Sequence, residues 1–302
     1  MTAGAPGTVE SAGAREAGRP RPGPRLLADD PAKRSVERIW LWYTPVWGLA
    51  AGVVMIGGFA NHWGDVELTS FAVALALGAL VPPVVLRPAE DREGPWYRST
   101  AAKMGLSVTG FALLINYSHS PFFFDVLHMH YGFDTTWNVR QTPIGLYLMT
   151  VAYFATYSVL CMAAYRGVRH AVRGVRASLR WPAVAVAPFG VAFLETALNA
   201  NPFMGHLFCY DDMAFALSFG TLAYGTAFCF ALPAWLAIDE RPGRRVGFLV
   251  VVVGVLAAVY AEMLVLDVLR HHVAPLFTVV EHGADGFRDF DTSCLEPLPG
   301  SK

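Results

Sequence analysis

Seven apolar stretches, each long enough to cross a bilayer, constrain this chain more than any other feature. They run over roughly 40–60, 68–86, 103–124, 144–164, 182–199, 213–238 and 246–269. A hydrocarbon core of about 30 Å takes about 20 apolar residues of helix. Inside it every backbone N–H and C=O must be satisfied by the protein, which favours helices. The expected fold is therefore an all-α integral membrane protein, a bundle of about seven transmembrane helices. The third and fifth stretches are the weakest, because polar residues interrupt them near one end. Only 16% of residues are charged, against about 25% in soluble domains. A net charge of −1 points to no nucleic-acid partner and leaves membrane lipid as the surroundings.

Basic residues fix the expected orientation. They crowd the segment before the first span (Arg15 to Arg38) and the loops after the second (Arg87, Arg92, Arg98, Lys103), fourth (Arg166 to Arg180) and sixth (Arg241, Arg244, Arg245). The alternate loops are nearly bare, with Arg140 alone in 125–143. This asymmetry places the N-terminus in the cytoplasm. Residues 1–32, rich in Ala, Gly, Pro and Arg, have no apolar core of a signal peptide and read as a disordered leader. Residues 33–280 read as the transmembrane domain and 281–302 as a C-terminal tail. Cys161 and Cys229 fall within spans as small apolar fillers, while Cys209 and Cys294 share the outer side, where a disulfide between them is open.

Depth brings the polar residues together. At about 1.5 Å per residue, Asn116 and Glu195 each lie about 14 residues in from the cytoplasmic end of their spans, and Glu262 about 16. Thr150, Tyr153, Thr156, Tyr157, Ser218, Thr221 and Tyr224 come early in the two spans that run inward. Ionisable groups at such depth face a bundle interior, so several helices converging on one band predict a cavity in the outer half. The plain structural alternative is a set of interhelical hydrogen bonds that only hold the bundle together. Glu195 and Asn199, spaced i, i+4, share a helix face; Tyr260 and Asp267, at i, i+7, share another. Arg270 is expected to pair with Asp267. Glu262 and Asp267 lie about 140° apart around their helix.

His128-Met129-His130, with His119 and Asp125 nearby, invites a metal reading, but the spacing matches no zinc pattern and no metal is expected. A retinal reading fails, since no lysine lies in the core of a span. A carboxyl held away from water favours its protonated form and becomes a general acid. Aromatic walls stabilise a developing cation. Together they describe a cofactor-free lipid isomerase as one candidate class.

Several strings, in order across about 33–280, resemble the cycloeucalenol cycloisomerase family: ERIWLWYTPVWG (37–48), NYSHSPFFFDVL (116–127), FLETALNANP (193–202), YDDMAFALS (210–218), LAIDE (236–240) and LDVLRHHVAP (266–275). Pro121 departs from that pattern beside His119. The resemblance implies opening of the 9β,19-cyclopropane ring of a cyclopropyl sterol, giving a Δ8 sterol, with no cofactor. It puts Glu195, Glu262, Asp211 and Asp267 forward for the acid and base roles. Asn116, Tyr117, His119, Trp137, Asn199 and Tyr260 are then candidates to line the substrate pocket. Two other functions stay open: a sterol Δ8–Δ7 isomerase of the emopamil-binding-protein type, and a non-catalytic sterol or lipid carrier. The absence of a visible inverted repeat weighs against a transporter.

Overall fold

A computed structural model of the chain describes residues 26–172 and 177–280. Among these residues seven α-helices carry the architecture: α1 (Pro31–Ile56), α2 (Asp65–Val85), α3 (Thr100–Asp125), α4 (Ile144–Ala171), α5 (Ala177–Asn199), α6 (Met213–Ala237) and α7 (Phe248–Val268). The fold is the expected all-α membrane bundle. Helices α1, α2, α4 and α6, and α7 with its continuation to Leu276, are long and apolar enough to cross a membrane. The remaining two, α3 and α5, are the predicted weak spans, and they carry Asn116, His119, Glu195 and Asn199.

Helix α4 is the central element, packed against α1, α2, α3, α5 and α6. Its apolar window is 72% buried, whereas the others range from 28% to 44%. The outer helices turn large apolar side chains such as Leu49, Leu77, Leu249, Leu256 and Leu264 outward, as lipid requires. Close approach of α5 and α6 depends on Gly220, where a Cβ would stand 2.9 Å from Cγ2 of Thr196.

Helix α1 starts well before the first apolar stretch. The Asp30 carboxylate caps it, accepting from the N–H groups of Ala32 at 2.9 Å and Lys33 at 3.1 Å. The end of the bundle that holds this cap is the one that the basic residues lead us to expect on the inner side. Two of the basic residues counted at this end, Lys33 and Lys103, are buried. Lys33 donates to the Trp235 carbonyl and pairs with Glu240, both at 2.7 Å. Arg166 bridges Glu37 and Glu240, each at 2.8 Å. Lys103 pairs with Asp239, which also accepts from the Thr100 hydroxyl and from the Val246 N–H, at 2.8 Å each. Asp239 is held at φ +41°, in the left-handed region, a cost accepted only where neighbours over-determine the backbone.

The outer end is capped by short ribbons that no sequence periodicity announced. Strand β1 (Met129–Tyr131) pairs antiparallel with β4 (Phe208–Tyr210), Met129 opposite Tyr210. Strands β2 (Asn138–Val139) and β3 (Thr142–Pro143) form a hairpin. Its two turn residues, Arg140 and Gln141, both have positive φ, +49° and +62°, where a type I′ turn would favour Asn or Gly. Arg140 lies over the Tyr117 ring at 4.5 Å and donates to the Tyr117 carbonyl at 3.3 Å. Cys209 is disulfide-bonded, Cys161 and Cys229 are free, and Cys294 lies outside the described residues.

Burial opposes the charge on Asp239, but Lys103, the Val246 N–H and the Thr100 hydroxyl outweigh it and hold this carboxyl below the usual range. Burial likewise opposes Glu240, and Arg166 and Lys33 outweigh it. Folding thus lowers both pKa values, so the unfolded chain takes up protons first as pH falls. Stability from this network should be complete above about pH 5 and should fall below about pH 4, read as a falling unfolding midpoint in detergent. Asp239→Asn should destabilise the protein by about 3 kcal/mol, because it strands Lys103 in the interior. An unchanged midpoint for this variant would remove the network as the inner-end clamp.

Candidate active site

Glu195 stands on the last turns of α5 and is almost wholly buried. Two donors hold its carboxyl. The Tyr157 hydroxyl, from α4, donates to Oε2, and Asn199, one turn on, donates to Oε1 at 3.2 Å. The shared face read from the i, i+4 spacing is therefore a real contact. Aromatic rings surround this couple. Tyr153 packs against Trp47 at 4.4 Å between centroids, and Phe228 sits 5.9 Å from Tyr157 and 6.1 Å from Tyr224.

A second carboxyl couple crosses the bundle from α7 to α3. Glu262 is fully buried, and its Oε1 lies 3.2 Å from His119 Nε2. The Thr226 hydroxyl, from α6, donates to the same oxygen at 3.2 Å. Glu262 Oε2 and His119 Nδ1 are buried with no hydrogen-bond partner among the described residues. Such orphaned atoms are rare in folded proteins and ask for a reason. The Tyr224 ring lies 5.2 Å from the His119 ring, edge to face, so Tyr224 stands between the two couples.

A small chamber lies beside them, reached through Asn199 and Tyr224, which line it, while Glu195, Tyr157, His119 and Glu262 stand behind its wall. Asn116, Ser120, Phe123, Thr196, Asn199 and Tyr224 wall it from the helices, and Tyr131, Thr142 and Tyr210 close it from the cap. Asn116 donates to the Thr150 hydroxyl at 2.7 Å, and Ser120 and Thr142 share a hydrogen bond of 3.0 Å. The chamber measures about 40 Å³. That is room for about one water, while small-molecule pockets usually measure about 300 Å³ or more. The chamber as it stands has no room for a ligand of ordinary small-molecule size.

The remaining sequence candidates lie elsewhere. Tyr117, Trp137 and Tyr260 are 47%, 50% and 64% exposed. Tyr117 follows Asn116 by one residue, about 100° around the helix, so it leaves the face that Asn116 buries. The Trp137 backbone N–H donates to Asp65 at 2.7 Å. Tyr260 and Asp267 do share a face, but it is the outward one: the Asp267 side chain is 71% exposed and meets His271 at 3.4 Å. The expected Asp267–Arg270 pair is a correction. After α7 the chain continues into a π-helical turn over Leu269–Val273, and Asp267 stays on the outward side, where it keeps its contact with His271. Arg270 instead pairs with the buried Asp125 of α3. Asp211 sits at the outer rim, 3.5 Å from His128 and 3.3 Å from His130. Among the described residues no three or more His, Cys, Asp or Glu side chains are grouped to hold a metal ion.

Sequence reasoning placed Tyr157, Thr150 and Tyr224 at the right depth without naming them as site residues. Thr226 it missed. A depth reading finds a polar side chain but not the direction in which it points.

No family model matches the chain. No solved structure matches it. The chain is 27% identical over 261 residues to the cycloeucalenol cycloisomerase of Arabidopsis thaliana, an alignment covering 84% of this chain and 91% of that relative. By sequence the chain is thus similar to that cycloeucalenol cycloisomerase over most of its length.

Proposed function

We propose that this protein is a cofactor-independent sterol isomerase that opens the 9β,19-cyclopropane ring of a cyclopropyl sterol of cycloeucalenol or cycloartenol type. The observation that carries the reading is the buried Glu195–Tyr157 couple beside an aromatic-walled chamber. The plant relative's name supplies the substrate class.

In this reading the Glu195 carboxyl delivers a proton to C19. The C9–C19 bond breaks, C19 becomes a methyl group on C10, and positive charge develops at C9. Loss of the C8 proton then forms the Δ8 double bond. One proton enters and one leaves, so atoms and oxidation level balance without redox chemistry. Hydrogen bonds from Tyr157 and Asn199 hold the carboxyl in one orientation before and after the transfer. The rings of Phe123, Tyr224 and Phe228 offer cation–π stabilisation and exclude water. Glu262 is assigned the base role, because its Oε2 has no partner to displace. His119 and Thr226 orient it from its other oxygen. A sterol enters only if the cap formed by β1, β3 and β4 moves away from the chamber. The Ala, Arg and Gly bias of the sequence points to the inner membrane of a high-GC bacterium; in a eukaryote the corresponding site is the endoplasmic reticulum.

Purified protein incubated with cycloeucalenol or cycloartenol in deuterated water should give a Δ8 product carrying one deuterium on the C19 methyl, read by mass spectrometry and NMR. A Δ8-to-Δ7 shift without ring opening would transfer the protein to the emopamil-binding type. Binding without turnover across these sterols would leave a carrier.

Glu195→Gln should lower turnover by about 10²–10⁴-fold, the usual contribution of a positioned acid or base, and Glu262→Gln by a comparable factor. Tyr157→Phe should cost about tenfold, the loss of one hydrogen bond to a charged group, with KM little changed. Each comparison requires an unfolding midpoint within the range of the unaltered protein. A folded Glu195→Gln variant with full activity would sink the acid assignment.

A further inference from the structure

The inner end carries two cavities that the isomerase reading does not use. One measures about 520 Å³ and has the charged residues Glu90, Asp91, Arg98, Lys103 and Arg245 in its wall. The other measures about 460 Å³ and is almost wholly apolar, running between α2 and α3 past Leu80, Val84, Trp96, Gly105 and Leu106. They meet at Phe248, which lines both, and at the turn Trp96–Arg98, which has its aromatic residues in the apolar wall and Arg98 in the charged one.

The charges in the first cavity are not all spoken for. Lys103 is committed to Asp239, and Arg245 lies within 3.7 Å of Asp30, Asp91 and Asp239. Arg98 and Glu90 make no ion pair among the described residues; Arg98 rests 5.9 Å from the Tyr97 ring. One uncommitted cation and one uncommitted anion therefore face the same space. The apolar groove runs along α3 from Ala101 to Thr109, about 12 Å at the usual helical rise. That is close to the depth of one leaflet, about half of a 30 Å core.

The geometry points to a bound phospholipid of the inner leaflet with a zwitterionic headgroup, its phosphate at Arg98, its ammonium at Glu90 and an acyl chain in the α2–α3 groove. Arginine suits a phosphate oxygen, and Glu90 suits the ammonium. A sterol, with a single hydroxyl at its polar end, would leave both charges without a partner. A singly anionic headgroup would leave Glu90 opposed. This site is separate from Glu195 and independent of the reaction assigned there.

The test uses the full chain reconstituted in vesicles containing phosphatidylethanolamine, phosphatidylglycerol and a sterol at equal mole fraction. The protein is re-extracted in mild detergent, and the retained lipid is measured by native mass spectrometry. The unaltered protein should retain one phosphatidylethanolamine. Arg98→Ala should lose it by about tenfold or more, the scale of one charge-assisted contact. Glu90→Gln should shift retention toward phosphatidylglycerol. Gly105→Phe, placing a ring in the groove where a Cβ already stands 3.2 Å from Leu80, should lower retention of both phospholipids. Retention of sterol alone, of no lipid, or of the same phospholipid by Arg98→Ala and Glu90→Gln would overturn the proposal. Should Arg98→Ala fail to fold, Glu90→Gln, on an exposed turn, decides the question by its headgroup preference.

Discussion

A charge inside a hydrocarbon-embedded bundle has to be answered by a side chain from another helix, and this requirement organises the protein. Lys33 on α1 meets Glu240 beyond α6, and Lys103 on α3 meets Asp239. Asp125 at the end of α3 meets Arg270 beyond α7. Glu262 on α7 meets His119 on α3, and Glu195 on α5 meets Tyr157 on α4. Each contact joins elements far apart in sequence, so each fixes a helix pairing that apolar packing in lipid would specify only weakly.

The two ends use this requirement differently. At the inner end oppositely charged groups are matched and further held by backbone donors and acceptors, as in Lys33 to the Trp235 carbonyl and Val246 to Asp239. That arrangement is a clamp. In the outer half the Glu195 and Glu262 carboxyls are met by a phenol, an amide, an imidazole and a hydroxyl, and Glu262 Oε2 and His119 Nδ1 have no hydrogen-bond partner among the described residues. Helix α4 links the two regimes, with Arg166 in the clamp and Tyr157 at the carboxyl. A rigid inner end and an incompletely satisfied outer chamber suit a site that must hold its groups in place while admitting a bulky apolar molecule.

The cap explains how such a chamber is closed. Strand β1 and its partner β4 bring Tyr131 and Tyr210 to the chamber, and β3 brings Thr142. The hairpin turn at Arg140–Gln141 adopts a backbone that neither residue favours, and Arg140 is tied back to Tyr117. The segment is also tied to the helices below it: Ser120 and Thr142 share a hydrogen bond, Asp65 accepts from the N–H groups of Thr136 and Trp137, and the Tyr147 hydroxyl donates to the Val139 carbonyl.

The sequence by itself determined the number of helices and the common level along the bundle that Asn116, Thr150, Tyr157, Glu195 and Tyr224 share, because span length and residue rise are one-dimensional quantities. It also singled out Glu195 and Asn199 as a pair, since i, i+4 spacing decides a contact within one helix. Tertiary structure decided everything that depends on rotation about a helix axis. Tyr260 and Asp267 share a face, but only packing shows that this face looks outward. Lys33 and Lys103 read as surface charges until Glu240 and Asp239 appear beside them. Arg270 pairs with Asp125 rather than with Asp267 because α3 brings a buried carboxylate to it, while Asp267 faces outward. His119 and Glu262 are 143 residues apart in the chain, and no local pattern announces a contact at that distance. Their meeting follows from the way α3 and α7 pack.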